Sequence, residues 1–270
     1  MDSARAPFGR LLRQGRQRAG LSQLTLALQA EVSARHLSWL ETGRAQPSRA
    51  MVLRLAEQLT VPLRERNAWL QAAGYAPLYT ERPLSDPALA TARAALERLL
   101  RAHEPWPALA VDRHWNLLAH NRPVALLLGA VAPALQEPPV NVLRLSLHPQ
   151  GLAPMIENLG GWREHVLARL ARQASASGDA ALRALHAELT ALPLPPGTPA
   201  ASAELHDDAV AVPLALRTPW GRLAFLTTVT VFGAPHDLTL AELAIETLLP
   251  ADEATAAALR TALEAAPLSP

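Results

Sequence analysis

The spacing of apolar residues predicts two short consecutive helices near the start of the chain. Leu24, Ala27 and Leu28 recur at helical spacing, and after a short break Leu37 and Leu40 begin a second apolar stripe. A serine precedes each helix, where its side-chain oxygen can accept a hydrogen bond from an unpaired backbone N–H. Two short helices joined by a tight turn fit the major groove of DNA when the second has a free polar face. A helical hairpin inside a larger bundle would give the same periodicity.

The helical pattern continues to about residue 102 and then changes. Helices are predicted at 7–19, 23–30, 34–41, 49–59 and 64–73, followed by a proline-rich linker at 74–87 and a helix at 88–102. Strands are predicted at 109–112 and 116–120, helices at 122–129, 140–147, 152–159, 162–175 and 180–191, and a β-hairpin turning at 218–221. Pro213 cannot donate to a strand pairing, which favours an edge position or a bulge for its strand.

The segment at 241–249 fits two patterns. Thr239 and Glu242 form a capping box typical of a helix start, whereas Leu243, Ile245 and Leu249 alternate with polar or small residues as in a half-buried strand. The hairpin before it needs a third strand, so we predict a strand here, followed by a helix at 252–265. The predicted domains are 1–78 for the helix-turn-helix, 79–103 for a linker and connecting helix, and 104–270 for an α+β domain with an antiparallel sheet.

Charge separates the two parts of the chain. Residues 1–66 hold 11 Arg and 5 acidic residues, about +6, whereas residues 67–270 hold 14 Arg and 19 acidic residues, about −5. Arg5, Arg10, Arg13, Arg16 and Arg18 crowd the first helix. A basic region that borders a helix-turn-helix favours contact with DNA phosphates, although a charge run is more often only a solvated face.

The segment LSQLTLALQAEVSARHLSWLETGR at 21–44 resembles the Cro/repressor-like (XRE-type) helix-turn-helix family. The resemblance implies that Gln23 bonds a phosphate and braces the recognition helix. Glu41 to Gly43, with the Pro-Ser pair that follows, matches the family's exit motif, and Gly43 is available for positive φ. Glu31 stands where most relatives carry glycine, which argues against a left-handed turn there. The expected DNA-binding residues are Gln23, Ser33, Ala34, Arg35, His36, Ser38, Arg44 and Arg49.

Several classes of function are disfavoured by what the sequence lacks. The chain has no Cys, which removes thiol nucleophiles, cysteine zinc sites and disulfides. It has no Walker, dinucleotide or G-x-S-x-G motif, and the closest approach to a metal cluster, His206-Asp207-Asp208, is more typical of a solvated turn. We therefore expect no catalytic residues, no metal, no cofactor and no enzyme activity. No apolar run reaches the roughly 18 residues of a membrane span, so a cytoplasmic location is expected.

The second part of the chain resembles the ligand-binding domain of MmyB-like transcription regulators. The strings that carry the resemblance are HWNLLAHN, NVLRLSLHPQGL and FGAPHDLTLAELAIETLLPADEATAAALR. It implies a PAS-like antiparallel sheet with flanking helices behind the all-α five-helix head, in a one-component bacterial regulator. It also implies an apolar, fatty-acid-like ligand.

A cavity between the sheet and the helices around 122–175 would bind such a ligand. The expected wall residues are Trp115, Leu126, Val142, Leu145, Ile156, Leu159, Trp162, Leu226 and Phe232. Arg144 or Arg163 could meet a carboxylate at the mouth. The same side chains could instead fill a solid core.

Two alternatives to a ligand sensor stay open. The second domain could serve only for dimerisation or a protein partner, or it could be the substrate domain of an enzyme with a DNA-binding head. We expect a homodimer bound to double-stranded operator DNA, because one head makes few base contacts. The apolar side of helix 88–102 and the second domain are the expected dimer contacts.

Overall fold

The computed structural model describes residues 6–195, 212–233 and 235–265, which form two compact units. The head unit comprises residues 6–82 together with 235–241, and the sheet unit comprises residues 83–233 together with 242–265. In the described ranges no helix is long and apolar enough to cross a membrane. The return of residues 235–241 to the head unit was not anticipated from the sequence.

The head unit is helical, and its predicted helices are confirmed to within one residue at each end. They are α1 (Ala6–Arg18), α2 (Gln23–Gln29), α3 (Ala34–Glu41), α4 (Arg49–Gln58) and α5 (Leu63–Ala72). Ser22, Ser33 and Ser48 cap α2, α3 and α4 by accepting hydrogen bonds of 3.0, 3.1 and 3.2 Å from backbone N–H groups three residues later. These caps satisfy backbone donors that the helices themselves leave unpaired, which is why local sequence determined the boundaries.

The core of the head unit forms around Trp69, whose ring meets Phe8 edge to face at 5.9 Å. The predicted apolar stripe of α2 is wrong in part. Leu26 and Ala27 are buried, whereas Leu24 and Leu28 are 61% and 72% exposed. The helix has four apolar residues in a short span, so its sequence is compatible with two different apolar faces. In the structure, the face that carries Leu26 packs in the core instead of the face that carries Leu24 and Leu28.

The turn between α2 and α3 contains a residue in the left-handed conformation that is not a glycine. Glu31 has φ 54°, so the sequence-based argument against this conformation is wrong. The backbone N–H groups of Glu31 and Val32 donate to Leu28 O and Ala27 O at 3.2 and 2.9 Å, which closes the helix end in a Schellman motif. Val32 packs against the head core, and Gly43 takes φ 73° at the equivalent place after α3. The two closing hydrogen bonds offset the strain at Glu31.

The sheet unit is built on an antiparallel sheet of strand order β2-β1-β5-β4-β3. The strands are β1 (Ala108–Val111), β2 (Leu117–His120), β3 (Leu214–Thr218), β4 (Gly221–Val231) and β5 (Ala244–Pro250). The predicted strand at 241–249 is confirmed as β5, which lies in the centre between β1 and β4. Pro213 directly precedes β3, and β3 lies at an edge as expected.

Helices cover both faces of this sheet. They are α6 (Ala90–Ala102), α7 (Arg122–Leu128), α8 (Val142–Leu147), α9 (Leu159–Ser177), α10 (Ala180–Ala191) and α12 (Glu253–Ala265), and the one-turn α11 (Leu238–Ala241) lies in the head unit. The helix predicted at 152–159 is wrong: only a 3₁₀ turn forms at Ala153–Met155, and Ile156 after it has an extended conformation with φ −80° and ψ 113°. The expected two-domain α+β fold with an antiparallel sheet is confirmed.

Helix α6 packs on one face of the sheet. Leu96 and Leu100 are buried there against Ala108, Ala110 and Ile245. The apolar side of α6, which the sequence offered as a dimer contact, is therefore covered by the chain's own sheet. Helices α7, α8 and α9 contribute to the core on the opposite face.

Residues 235–241, the connector between β4 and β5, belong to the head unit and bond to residues 80–82. Asp237 is buried, and its carboxylate accepts a 2.8 Å hydrogen bond from Arg82 Nη1 and a 2.9 Å bond from the backbone N–H of Thr239. Leu238 N donates to Thr80 O at 2.9 Å. These bonds make Asp237 a structural residue of this turn.

Candidate functional site

Helix α3 presents the residues that were expected to contact DNA. Leu37 and Leu40 are fully buried, which fixes the rotation of the helix. Of the predicted residues on α3 and at its cap, Ser33 and Arg35 are exposed and His36 and Ser38 are half-buried, whereas Ala34 packs against the head core. The guanidinium of Arg35 lies 4.5 Å from the ring centroid of Trp39, an exposed stacking that holds the side chain on the exposed face of α3.

A buried ion pair joins the first three helices. Arg16 Nε and Gln23 Nε2 donate to the two carboxylate oxygens of Glu41 at 2.6 and 2.7 Å, and the Glu41 side chain is only 3% exposed. Burial by itself would raise the pKa of Glu41, but the hydrogen bonds from Arg16 and Gln23 outweigh it and the pKa is lowered. Gln23, which was expected to bond a phosphate and brace the recognition helix, thus donates to Glu41, a residue that the sequence analysis treated only as part of the exit motif.

Only some arginines of the head unit are free of ion pairs and available to contact DNA phosphates. Arg16 is paired with Glu41, and Arg18 forms an ion pair with Glu65. Arg44 and Arg49 are exposed and make no ion pair with any described residue. The formal charge of the segment therefore overstates the number of arginines that could contact phosphates.

The sheet unit contains a cavity of about 110 Å³ between the sheet and helices α7, α8 and α9. Its walls are mainly apolar: Leu109 and Leu248 from the sheet face Val124, Val142 and other aliphatic residues from the helices. A concave, mainly apolar space with few polar groups is the usual form of a small-molecule site. The arrangement can hold an apolar group out of water.

Four of the predicted wall residues, Trp115, Val142, Leu145 and Trp162, line this cavity. The other five predicted residues do not line it. Ile156 and Leu159 are buried in the neighbouring core, Leu126 is half-buried, Leu226 is 40% exposed, and Phe232 packs on the α6 side of the sheet. Side chains alternate along β4, and Thr227 faces the cavity, so Leu226 must point the other way.

Trp115 reaches the cavity from a tight turn between β1 and β2. Its φ is 69°, and Asp112 holds the turn by accepting hydrogen bonds from the backbone N–H groups of His114 and Asn116 at 2.8 and 2.9 Å. The indole N–H of Trp115 donates to Gln173 Oε1 at 2.8 Å. The ring is thereby fixed as part of the cavity wall.

The cavity wall also contains polar side chains, which the sequence analysis missed. Arg169 Nη1 on α9 donates to Glu246 Oε1 on β5 at 2.8 Å, and its guanidinium lies 4.2 Å from the ring centroid of Trp115. His165 also lines the cavity, and burial together with the charges of Arg169 and Arg172 lowers its pKa. Arg169 follows Trp162 and Val166 at helical spacing, which was the available signal for its position.

The two arginines proposed from the sequence for the cavity mouth have other partners. Arg144 forms a two-pronged pair with Glu188 at 2.6 and 2.8 Å, and Arg163 donates to backbone carbonyl groups at the end of α10. Neither is among the residues that line the cavity. Arg169 is the arginine that does.

Within residues 6–195, 212–233 and 235–265, no group of three or more His, Asp or Glu side chains could hold a metal ion. His206-Asp207-Asp208 lies outside the described residues.

Comparison with known proteins gives two family matches. The MmyB-like transcription regulator ligand binding domain matches residues 92–262, and a helix-turn-helix domain family matches residues 7–69. No curated protein sequence matches the chain.

Among solved structures, the restriction-modification controller protein C.AhdI from Aeromonas hydrophila is 34% identical over 23% of this chain and 94% of its own, with a TM-score of 0.22. Two structures of the clp gene regulator ClgR from Corynebacterium glutamicum are 27% and 26% identical. They cover 27% and 38% of this chain and 92% and 95% of their own, with TM-scores of 0.24 and 0.23. Since the ligand-binding family spans more than half of the sequence, the chain belongs to the MmyB-like transcription regulators, with a helix-turn-helix DNA-binding domain at its start.

Proposed function

We propose that this chain is a one-component bacterial transcription regulator of the cytoplasm. It binds operator DNA through α3 and senses an apolar, fatty-acid-like ligand in the cavity of the sheet unit. The cavity of about 110 Å³ carries this proposal, because an apolar space of this size is more than a filled core would leave. The same space argues against the alternative of a second domain that serves only for dimerisation or a protein partner.

Recognition of operator bases is assigned to the exposed side of α3. Ser33, Arg35 and Ser38 lie on that side, while Arg44 and Arg49 beyond its end contact phosphates. Arginine donating to guanine O6 and N7 is the commonest specific contact in the major groove. Selection of bound sequences from a random DNA pool, followed by footprinting, tests this assignment. Enrichment of no sequence would contradict it.

We further propose that the regulator acts as a homodimer on paired half-sites. Half-sites one helical turn apart, about 34–36 Å, are typical of this motif. Since the apolar side of α6 packs on its own sheet, we assign the dimer contact to other surfaces of the protein. Light scattering at micromolar concentration is expected to give a dimer, and footprinting is expected to show two protected half-sites. A monomer that protects one half-site would contradict this.

Ligand sensing is tested by titrating medium- and long-chain fatty acids and recording thermal stability and operator affinity together. A ligand that binds the folded state raises the melting temperature, and it changes DNA binding only if it prefers one arrangement of the protein over another. We expect both effects from at least one chain length. Val142→Trp, which would fill the cavity, is expected to abolish both, while the exposed Leu118→Trp serves as the matched control. No stabilisation by any chain length, in a protein that dimerises, would favour the dimerisation module.

A further inference from the structure

Helix α3 exposes one large apolar side chain on the surface assigned to the operator. Trp39 is 36% exposed, whereas Leu37 and Leu40 of the same helix are fully buried. The backbone at this position is fixed, because Trp39 O accepts hydrogen bonds from the N–H groups of Arg44 and Ala45 at 2.8 and 3.2 Å. The exposure of the indole ring therefore follows from the rotation of the helix and not from a loose helix end.

Trp39 lies on the same side of α3 as Arg35, one helical turn away. Residues four apart in a helix are neighbours on its surface, and helical side chains lean toward the N-terminus, so the indole ring reaches back to the first turn. The guanidinium of Arg35 lies 4.5 Å from the ring centroid. The cation and the aromatic ring therefore form one contact surface.

This surface matches two chemical groups of the major groove. Guanine presents the acceptors O6 and N7 to an arginine, and thymine presents its 5-methyl group, which apolar side chains contact. One turn of an α-helix advances about 5.4 Å, and one base pair of B-DNA advances about 3.4 Å. When α3 lies along the groove, the ring of Trp39 is therefore one or two base pairs away from the pair that Arg35 contacts.

Resting on the proposed operator-binding function, we propose that Trp39 is a specificity-determining residue that reads the methyl group of a thymine. This thymine lies one or two base pairs from the guanine bound by Arg35. The indole ring covers the methyl group and takes it out of water. Removing one such buried methyl group corresponds to about a fourfold loss of affinity, or about 0.8 kcal/mol.

Replacement of thymine by uracil removes only this methyl group and tests the inference. The operator is first selected from a random DNA pool with the full chain, and each thymine of a half-site is then replaced singly by uracil. Arg35→Ala identifies the guanine, because this variant no longer discriminates at that base pair. Fluorescence anisotropy with the wild-type protein is expected to show about fourfold weaker binding after replacement of one thymine within two base pairs of that guanine.

Variants of Trp39 show whether the ring itself reads the methyl group. Trp39→Ala is expected to bind the thymine and uracil duplexes equally, within about 1.5-fold, whereas Trp39→Phe keeps an aromatic ring and should retain at least about a twofold preference for thymine. Leu28→Ala is the matched control, because Leu28 is an exposed apolar residue on the neighbouring helix α2. It should keep the fourfold preference. Circular dichroism of each variant checks that the fold is retained.

Equal binding of the thymine and uracil duplexes by the wild-type protein at every position would overturn the inference. So would a selected half-site with no thymine within two base pairs of the guanine. If Trp39→Ala weakened binding but kept the preference for thymine, the ring would only position Arg35, and the inference would be wrong. These outcomes leave operator binding by α3 intact, whereas enrichment of no sequence would overturn operator binding and this inference with it.

Discussion

Arg35 lies exposed in the first turn of α3, with its guanidinium stacked on Trp39 at 4.5 Å. This stacking limits the rotamers of a long side chain, so less conformational entropy is lost when it contacts a base. Arg35→Ala is expected to weaken operator binding by about 1–3 kcal/mol and to relax the preference at one base pair. Fluorescence anisotropy with the selected operator and with single-base variants measures both effects.

Arg44→Ala is the matched control, because Arg44 is exposed beyond the end of α3. A phosphate contact should weaken binding equally on operator and random DNA, and its loss should reduce the salt dependence by roughly one phosphate contact. If Arg35→Ala behaved in the same way, Arg35 would have to be reassigned to a phosphate.

Glu41 is expected to contribute strongly to the stability of the head unit, because its carboxylate is buried and paired. Glu41→Gln would leave Arg16, whose side chain is only 12% exposed, without its counter-charge. Removing one partner of a buried pair typically costs about 3–5 kcal/mol, so the unfolding free energy of the head unit should fall by that order. Urea unfolding at pH 7 measures it. Glu57→Gln, at an exposed position on α4, should change the unfolding free energy by less than about 0.5 kcal/mol.

The pH dependence of stability follows from the same carboxyl group. The pKa of Glu41 is lowered in the folded protein, so its contribution is complete above the unfolded value of about 4.3 and is lost as pH falls through the folded value. The contribution of Glu41 to the unfolding free energy should therefore be constant from pH 6 to 8 and should decline below about pH 4.5. The decline should be shallower in Glu41→Gln. Parallel curves for the two proteins would show that Glu41 is not responsible.

Helices α1 to α5 of the head unit all end in the same way. The residues at the left-handed position are Gly20, Glu31, Gly43, Thr60 and Gly74, with φ of 67°, 54°, 73°, 50° and 86°. At each end the backbone N–H of the left-handed residue and that of the next residue donate to carbonyl groups of the last turn, as in the Schellman motif. Local hydrogen bonds therefore set this conformation even where glycine is absent.

Glu31→Gly is expected to stabilise the head unit by about 0.5–1 kcal/mol. Glycine removes the strain of roughly 1–2 kcal/mol that an L-residue meets in this region, and the gain is reduced by the larger entropy of glycine in the unfolded chain. Gly43→Ala should be destabilising by a similar amount. Thermal melts of the two variants measure both changes. Destabilisation by Glu31→Gly would mean that its exposed contact with Arg54, at 3.8 Å, matters more than the backbone strain.

Local signals explain why the head could be predicted closely and the cavity only in part. Serine caps and turn residues lie next to the helices that they delimit, so Ser33 marked the start of α3 directly. No local sequence signal showed which side chains of β5 face the cavity. Glu246 alternates with Ile245 as a solvent-facing residue would, yet helices cover both faces of this central strand and Glu246 lines the cavity. A polar residue beside a cavity and one beside water give the same sequence pattern.

The folding units do not coincide with continuous stretches of sequence. The chain leaves the head unit for the sheet unit after residue 82, returns to the head unit for residues 235–241 and re-enters the sheet unit at residue 242. The pairing of Asp237 with Arg82 therefore joins two segments that are far apart in the chain. Domain boundaries inferred from composition assumed one uninterrupted segment for each unit, which is why the connector was missed.

Asp237→Ala is expected to destabilise the attachment of the connector by about 1–3 kcal/mol, because it removes a charged hydrogen bond and leaves Arg82 without this partner. Asp237→Asn is the matched variant: it retains an acceptor for the N–H of Thr239 and should lose less. Hydrogen exchange of the Leu238 amide, which donates to Thr80, reports the opening of this segment. Equal protection in Asp237→Ala and the wild-type protein would contradict the expectation.

The discontinuous head unit also has a consequence for synthesis on the ribosome. Helices α1 to α5 leave the ribosome early, but residues 235–241 follow only after residues 83–234 have been translated. At roughly 5–20 residues per second, this delay is on the order of ten seconds. During that interval the nascent head lacks the carboxylate of Asp237 and the apolar side chain of Leu238. A polypeptide whose translation stops within the sheet unit therefore carries a less stable head, which favours its removal by proteases before it can occupy an operator.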